Sequence, residues 1–233
     1  MKERVGFFNN IKGSTVFLII FLVVGADQLL KIYIKTHYYS GESHNVIGNW
    51  FKFYFIENEG MAYGMKFGGD LGKIILTLFR FAAVVFGVFY LRKIIERKLH
   101  TGFIICAALI FSGALGNLID SLFYGMVFQE SNVVMLNVAK IVPGHGYAGF
   151  LHGKVVDMLY FPIIRGTFPS WVPVWHGEDF EFFRPIFNLA DASISVGVTA
   201  ILLFQKRFFK HITPKQTVIN ANNEPLVNEH VTV

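Results

Sequence analysis

Two aspartates, Asp157 and Asp191, carry ionisable groups in strongly apolar surroundings. Phe187-Asn188-Leu189-Ala190-Asp191 opens an apolar run long enough to span a bilayer, where a carboxylate is expensive to hold. Lys154-Val155-Val156-Asp157-Met158 brackets the second acid with apolar residues, in a segment leading back toward the membrane. If the fold makes the two acids neighbours, their like charges cannot both ionise cheaply, and at neutral pH they share one proton. That state holds a base for water and an acid for a carbonyl, which is what hydrolysis of a peptide bond requires. Taken singly, each acid also reads as an interfacial charge, or as a helix N-terminal one favoured by the dipole.

Other polar residues could serve such a pair. Asn188, one turn before Asp191, could orient it or accept a substrate backbone. Asn58 and Gly60 read either as a plain turn or as an amide and an open backbone that touch an extended peptide. Asn117 and Asp120 share a helical face with Gly113 and are expected to form interhelical hydrogen bonds. Asp27 and Lys31, four residues apart, are expected to form a structural ion pair near a helix end. No metal is expected, because the spacing of His145, His152 and His176 matches no ligand pattern. The lone Cys106 reads as a small core residue, and there is no nucleophile elbow or phosphate loop.

These residues must be positioned by membrane-spanning elements. The chain is 53% hydrophobic and 16% charged, with a mean hydropathy of +0.48, against about 25% charged in ordinary soluble domains. Its formal charge of +5 gathers at the ends of apolar runs, which argues against a nucleic-acid partner. Four spans are expected, at about 14–34, 71–91, 102–119 and 186–204, each near the length that crosses a hydrocarbon core. Arg80 interrupts the second and is expected to snorkel outward. Trp50-Phe51-Lys52-Phe53-Tyr54-Phe55-Ile56 has the composition of a strand, and predicts a small sheet or cradle within residues 35–70. The fold class is thus an all-α membrane protein, a four-transmembrane-helix bundle with a small extracytoplasmic β-cradle. One domain covers residues 1–210, with a long extracytoplasmic insertion at 121–184 and a polar, disordered tail at 211–233. Basic clusters at both termini and after the second span place those regions in the cytoplasm and the polar residues at the outer leaflet.

Five blocks, in this order, resemble the lipoprotein signal peptidases (signal peptidase II). They are Asp27-Gln28-Leu29-Leu30-Lys31, Asn58-Glu59-Gly60-Met61-Ala62-Tyr63, Gly113-Ala114-Leu115-Gly116-Asn117-Leu118-Ile119-Asp120, Val155-Val156-Asp157 and Phe187-Asn188-Leu189-Ala190-Asp191. The resemblance implies an aspartic endopeptidase of the bacterial inner membrane that cleaves prolipoproteins before a diacylglyceryl-modified cysteine. It implies Asp157 and Asp191 as the catalytic pair, with Asn58, Gly60, Asn117, Asp120, Asn188 and Ala190 in support. It also implies no cofactor, inhibition by globomycin, and membrane lipid as the substrate's surroundings; a monomer is expected. Two departures stand out. Ser121 occupies a place where the family usually has Arg, so that either the contact made by that guanidinium is missing or Arg165 or Arg184 supplies it, and the link from Asp120 to Asp157 is unusually long. The competing reading is a small proton-coupled transporter or channel subunit, whose polar residues would continue to the inner face. Here they concentrate at one end.

Overall fold

In a computed structural model of the chain, the described residues are 11–59, 69–171, 173 and 177–210. Among the described residues, four helical stretches are long and apolar enough to cross a membrane. They are α1 (Gly13–His37), α2 (Gly69–Glu96), α3 (Thr101–Ile119) and α5 (Leu189–Phe208). The third continues beyond α3 through a π-helical turn (Asp120–Tyr124) and a short α4 (Gly125–Val127). At about 1.5 Å per residue each matches or exceeds a hydrocarbon core of about 30 Å. No proline interrupts them. Their outward faces are apolar: Phe17, Phe21 and Leu29 on α1, Phe79 and Phe86 on α2, and Leu202 and Leu203 on α5 are all exposed. Such a surface suits lipid and would be unfavourable in water.

Against one end of the bundle lies a four-stranded antiparallel sheet in the order β1-β2-β3-β6. Its strands are β1 (Ser43–Ile47), β2 (Phe51–Asn58), β3 (Val155–Tyr160) and β6 (Ile186–Phe187). A separate hairpin pairs β4 (Ile164–Thr167) with β5 (Asp179–Phe182). The sheet therefore reaches beyond the expected 35–70 region and recruits β3 and β6 from far along the chain. All six residues of β3 are buried. That double-sided burial explains why its sequence, Asp157 apart, is apolar throughout and not alternating, and why it reads as membrane-directed. For the same reason the fourth helix begins at Leu189, later than expected, since Ile186 and Phe187 pair with Tyr160 and Leu159. The third span runs past Ile119 because the π-helical turn absorbs Asp120 and Ser121 without ending the helix.

Two apolar cores hold the assembly. Val16, Leu91, Ile94, Phe103, Ile104 and Ala108 pack around the N-terminal end of α1. Ile34, Phe55, Tyr124, Phe128, Val156 and Met158 join the other end of α1 to the sheet and the π-helical turn. Between them, by position along α1, lie the buried Asp27 and Lys31. The expected tail, 211–233, is outside the described residues.

Candidate active site

Asp157 sits in mid β3, opposite Ile56 of β2, and is 3% exposed. Asp191 lies in the first turn of α5 and is half-buried. Two amides join them. Asn188 Nδ2 donates to Asp157 Oδ1 at 2.7 Å, and Asn188 Oδ1 accepts from the Asp191 backbone N–H at 2.9 Å. Asn117 Nδ2 donates to Asp191 Oδ1 at 2.7 Å, and its Oδ1 accepts from Asn188 Nδ2 at 3.2 Å. Asn188 is thereby both the N-cap of α5 and the bridge to β3, a position that an N-cap's extended backbone permits. Asn58, at the end of β2, donates to the other oxygen, Asp157 Oδ2, at 3.3 Å. Burial, and then the charge of Asp191, push the Asp157 carboxyl up to about 7.

A second layer supports the amides. Lys31 Nζ lies 2.8 Å from Asp27 Oδ2, 2.7 Å from Asp120 Oδ2 and 2.9 Å from Asn117 Oδ1, with all three charged groups buried. A buried ammonium with three oxygen partners leaves none of its donors idle, the condition under which such a charge is tolerated. Asp27 Oδ1 accepts the Ala190 N–H at 2.9 Å, tying α1 to the start of α5. Gln28 Nε2 donates to Asp120 Oδ1 at 2.8 Å, and its Oε1 accepts from the Tyr124 hydroxyl at 3.1 Å. The helices approach closely because Gly113 and Gly116 leave room: a Cβ on Gly113 would overlap the Ala190 carbonyl, and one on Gly116 would lie 2.8 Å from Asp27 Oδ2.

The structure thus gathers Asp27, Lys31, Asn58, Asn117, Asp120, Asp157, Asn188 and Ala190 with Asp191. Gly60 falls outside the described residues, as does His176. Asn117 and Asp120 do form interhelical bonds, to α1 and α5. Asp27 and Lys31 form the expected ion pair; it is fully buried, and Asp120 and the Ala190 N–H give it further partners. Arg80 does not snorkel. Its Nη1 donates to Ser121 Oγ at 2.8 Å, which turns the side chain toward the π-helical turn and not out to the membrane surface. Neither Arg165 nor Arg184 replaces it. Arg165 pairs with Glu181 and Tyr160 beside the β4–β5 hairpin, and Arg184 donates to the Asp179 carbonyl.

Sequence reasoning missed Gln28 as a site member, although it lies in a quoted block. It also missed the buried pair of Lys35 and Glu57, which anchors β2 one residue before Asn58. The Lys35 ammonium lies 5.1 Å from the centre of the Tyr147 ring and 5.5 Å from that of Phe128. The only available signal was that Lys35 follows Lys31 by one helical turn.

Four apolar helices with a buried carboxylate and amide network at one end, beside a sheet, define a polytopic membrane protein with a buried polar site. Comparisons narrow the class. The profile of signal peptidase (SPase) II matches residues 19–207. A lipoprotein signal peptidase of Porphyromonas gingivalis is 44% identical over 198 residues, 84% of each chain. One from Amoebophilus asiaticus is 30% identical over 209 residues, 88% of this chain and 84% of the other. A solved bacterial membrane enzyme shares the fold with a TM-score of 0.55 at 24% identity, covering 91% of this chain and 99% of that one. The chain belongs to the signal peptidase II family. With that membership goes a protease's role in signal-peptide cleavage.

Proposed function

We propose that the chain is an aspartic endopeptidase that removes signal peptides from prolipoproteins by cutting before a diacylglyceryl-modified cysteine, with Asp157 and Asp191 as its catalytic pair. The observation that carries this reading is the double amide bridge, in which Asn188 and Asn117 bind Asp157 and Asp191 respectively and bind each other. Asp191, the wetter of the two, is the base: it takes a proton from water, whose oxygen attacks the scissile carbonyl. Asp157, drier and with its carboxyl raised to about 7, holds the shared proton and donates a hydrogen bond to the developing oxyanion. Collapse of the tetrahedral intermediate breaks the C–N bond, and the proton taken by Asp191 passes to the leaving amine. Asn58 and Asn188 orient Asp157, Asn117 orients Asp191, and the group of Asp27, Lys31, Asp120 and the Ala190 N–H holds these amides in register. Gly60 is proposed to contact substrate backbone.

The setting is the bacterial inner membrane, with both termini cytoplasmic and the site at the outer leaflet. The basic residues Arg92 and Lys93 at the end of α2, and Arg97 and Lys98 between α2 and α3, support this orientation. At that depth the diacylglyceryl chains can stay in lipid while the peptide bond beside the cysteine reaches the acids. A globomycin-type peptide is expected to compete for the same place, and one chain suffices as a monomer. The test is cleavage of a diacylated precursor by the purified chain in detergent. Asp157→Asn and Asp191→Asn are each expected to lower kcat by at least about 1,000-fold, the scale seen when a member of a catalytic unit is removed. Near-wild-type cleavage by either variant removes that residue from the pair.

A further inference from the structure

A second group of charges, unused by the proposed mechanism, lies beside the site. Lys35, in the last turn of α1 and fully buried, is paired with Glu57 Oε1. The other Glu57 oxygen, Oε2, lies 4.0 Å from the ammonium of Lys154, the residue directly before β3, and Lys154 Nζ donates in turn to Glu130 Oε1 at 3.1 Å. Charges thus alternate along four residues, and side-chain exposure rises from 0% at Lys35 through 6% at Glu57 and 24% at Lys154 to 58% at Glu130. The tight end of this line is the dry one. The long 121–184 segment closes it: the Tyr147 ring centre lies 5.1 Å from the Lys35 ammonium and 5.3 Å from that of Lys154, and the Tyr147 hydroxyl accepts the Lys154 backbone N–H at 2.5 Å.

Strand geometry connects this group to the acids. Ile56 stands opposite Asp157, Glu57 opposite Val156 and Asn58 opposite Val155. Because side chains alternate across a strand, Glu57 leaves β2 on the face opposite to that of Asn58. Its carboxylate therefore grips the strand from behind, while Asn58 donates to Asp157 Oδ2 at 3.3 Å in front. The β2–β3 register shifts between Phe53 and Ile56, so the pairing before that irregularity does not by itself carry the alignment on to Asn58. A slip of one residue there would turn Asn58 to the wrong face. A buried ion pair is weak support for stability but is suited to fixing a register, and Lys35 and Lys154 hold Glu57 just past the irregularity.

We propose that Glu57 is a positioning residue of this active site: clamped between Lys35 and Lys154, it holds β2 in the register that sets Asn58 on Asp157. The proposal rests on the Asp157/Asp191 reading above. It also gives part of the long segment a task, since Glu130 and Tyr147 hold Lys154 in place. The charged groups that face Asp157 itself are Asp191 from α5, Lys31 from α1 with its partners Asp27 and Asp120, and Arg80 from α2, while Lys73 of α2 lies within charge range of Glu57. Glu57 acts on Asp157 through Asn58.

The experiment measures kcat and kcat/KM for a diacylated precursor between pH 5 and 9, with the full chain in detergent, for Glu57→Gln, Asn58→Ala and the double variant. Glu57→Gln is expected to lower kcat about tenfold with little change in KM and to move the alkaline limb upward by about half a unit, because a lost hydrogen bond to the ionised Asp157 carboxylate disfavours that form. Removing an anion that acted directly on Asp157 would move the limb the other way. Asn58→Ala is expected to move it upward likewise, and Glu57→Gln to add nothing in that background. A limb that stays put or moves down in either single variant overturns the proposal. So does an additive effect in the double variant, which would make Glu57 a support of the fold at large. Should Glu57→Gln fail to fold, Lys154→Met is judged by the same masking: no added effect beside Asn58→Ala upholds the proposal, and additivity overturns it. Active Asp157→Asn or Asp191→Asn would refute the catalytic pair itself; inactive forms of both beside an unmoved Glu57→Gln limb would refute only the role of Glu57.

Discussion

Asp157 and Asp191 are chemically identical side chains in unequal places. Asp157 lies on a fully buried strand, where losing water disfavours its charge; Asp191 lies half-buried, and so wetter, in the first turn of α5. In the proposed mechanism this inequality decides which is acid and which is base. It also sets the pH dependence. Asp157 is held up to about 7, so rising pH through that region removes the proton that the mechanism needs, and falling pH eventually protonates the base. A bell-shaped profile of kcat/KM is therefore expected, with an alkaline limb near pH 7 belonging to the pair as a unit. A flat profile from pH 5 to 9 would contradict it. The two acids and Asn188 were legible in the sequence because an acid or amide in an apolar run has few cheap explanations. Arg80 was not, because a lone arginine in a span has snorkelling as its ordinary option, and its partner Ser121 is a residue with no charge to advertise the contact.

Helices bring these residues together only if they pack almost backbone to backbone. On α3, Gly113 and Gly116 face the Ala190 carbonyl and Asp27, and that closeness lets Asn117 reach α1 and α5 at once. Gly113→Leu is expected to push α5 away, lowering stability by about 1–3 kcal/mol or more through overpacking and abolishing cleavage. Unchanged melting and activity would mean that the helices can separate without disturbing the amides. A second close approach lies at Gly153, where a Cβ would overlap the Asp120 carbonyl and where the backbone N–H donates to Ser121 O at 2.9 Å. Helix existence could be read from apolar length, and β2 from its aromatic run. β3 could not, since Val155–Tyr160 is buried on both faces and so lacks the alternation that marks a strand. The end of the third span was misplaced for a related reason: a π-helical turn keeps the helix going through Asp120 and Ser121, polar residues that ordinarily signal an exit.

Across the whole molecule, one apolar core closes the bundle around the start of α1 and the other clamps the sheet to its far end, with the polar network between them. This arrangement confines the buried charges to one side of the bundle, which favours a site at a membrane boundary over a transport path through it. The proposed orientation is checked by an impermeant thiol reagent on intact cells, in a Cys106→Ala background. Gly48→Cys, at the β1–β2 turn, is expected to react and Lys98→Cys, between α2 and α3, to be protected; the opposite pattern would invert the topology. The proposed orientation rests on charge asymmetry alone. The 121–184 segment was opaque because it divides its residues among a helix extension, the central strand of one sheet and a separate hairpin. The central claim, that two acids from β3 and α5 act as one unit, is tested most directly by a double-mutant cycle of kcat for cleavage of a diacylated precursor. Asp157→Asn, Asp191→Asn and the double variant are expected to be equally inactive, because removing either member already dismantles the shared-proton pair. Additive losses, or a single variant within about tenfold of wild type, would contradict it.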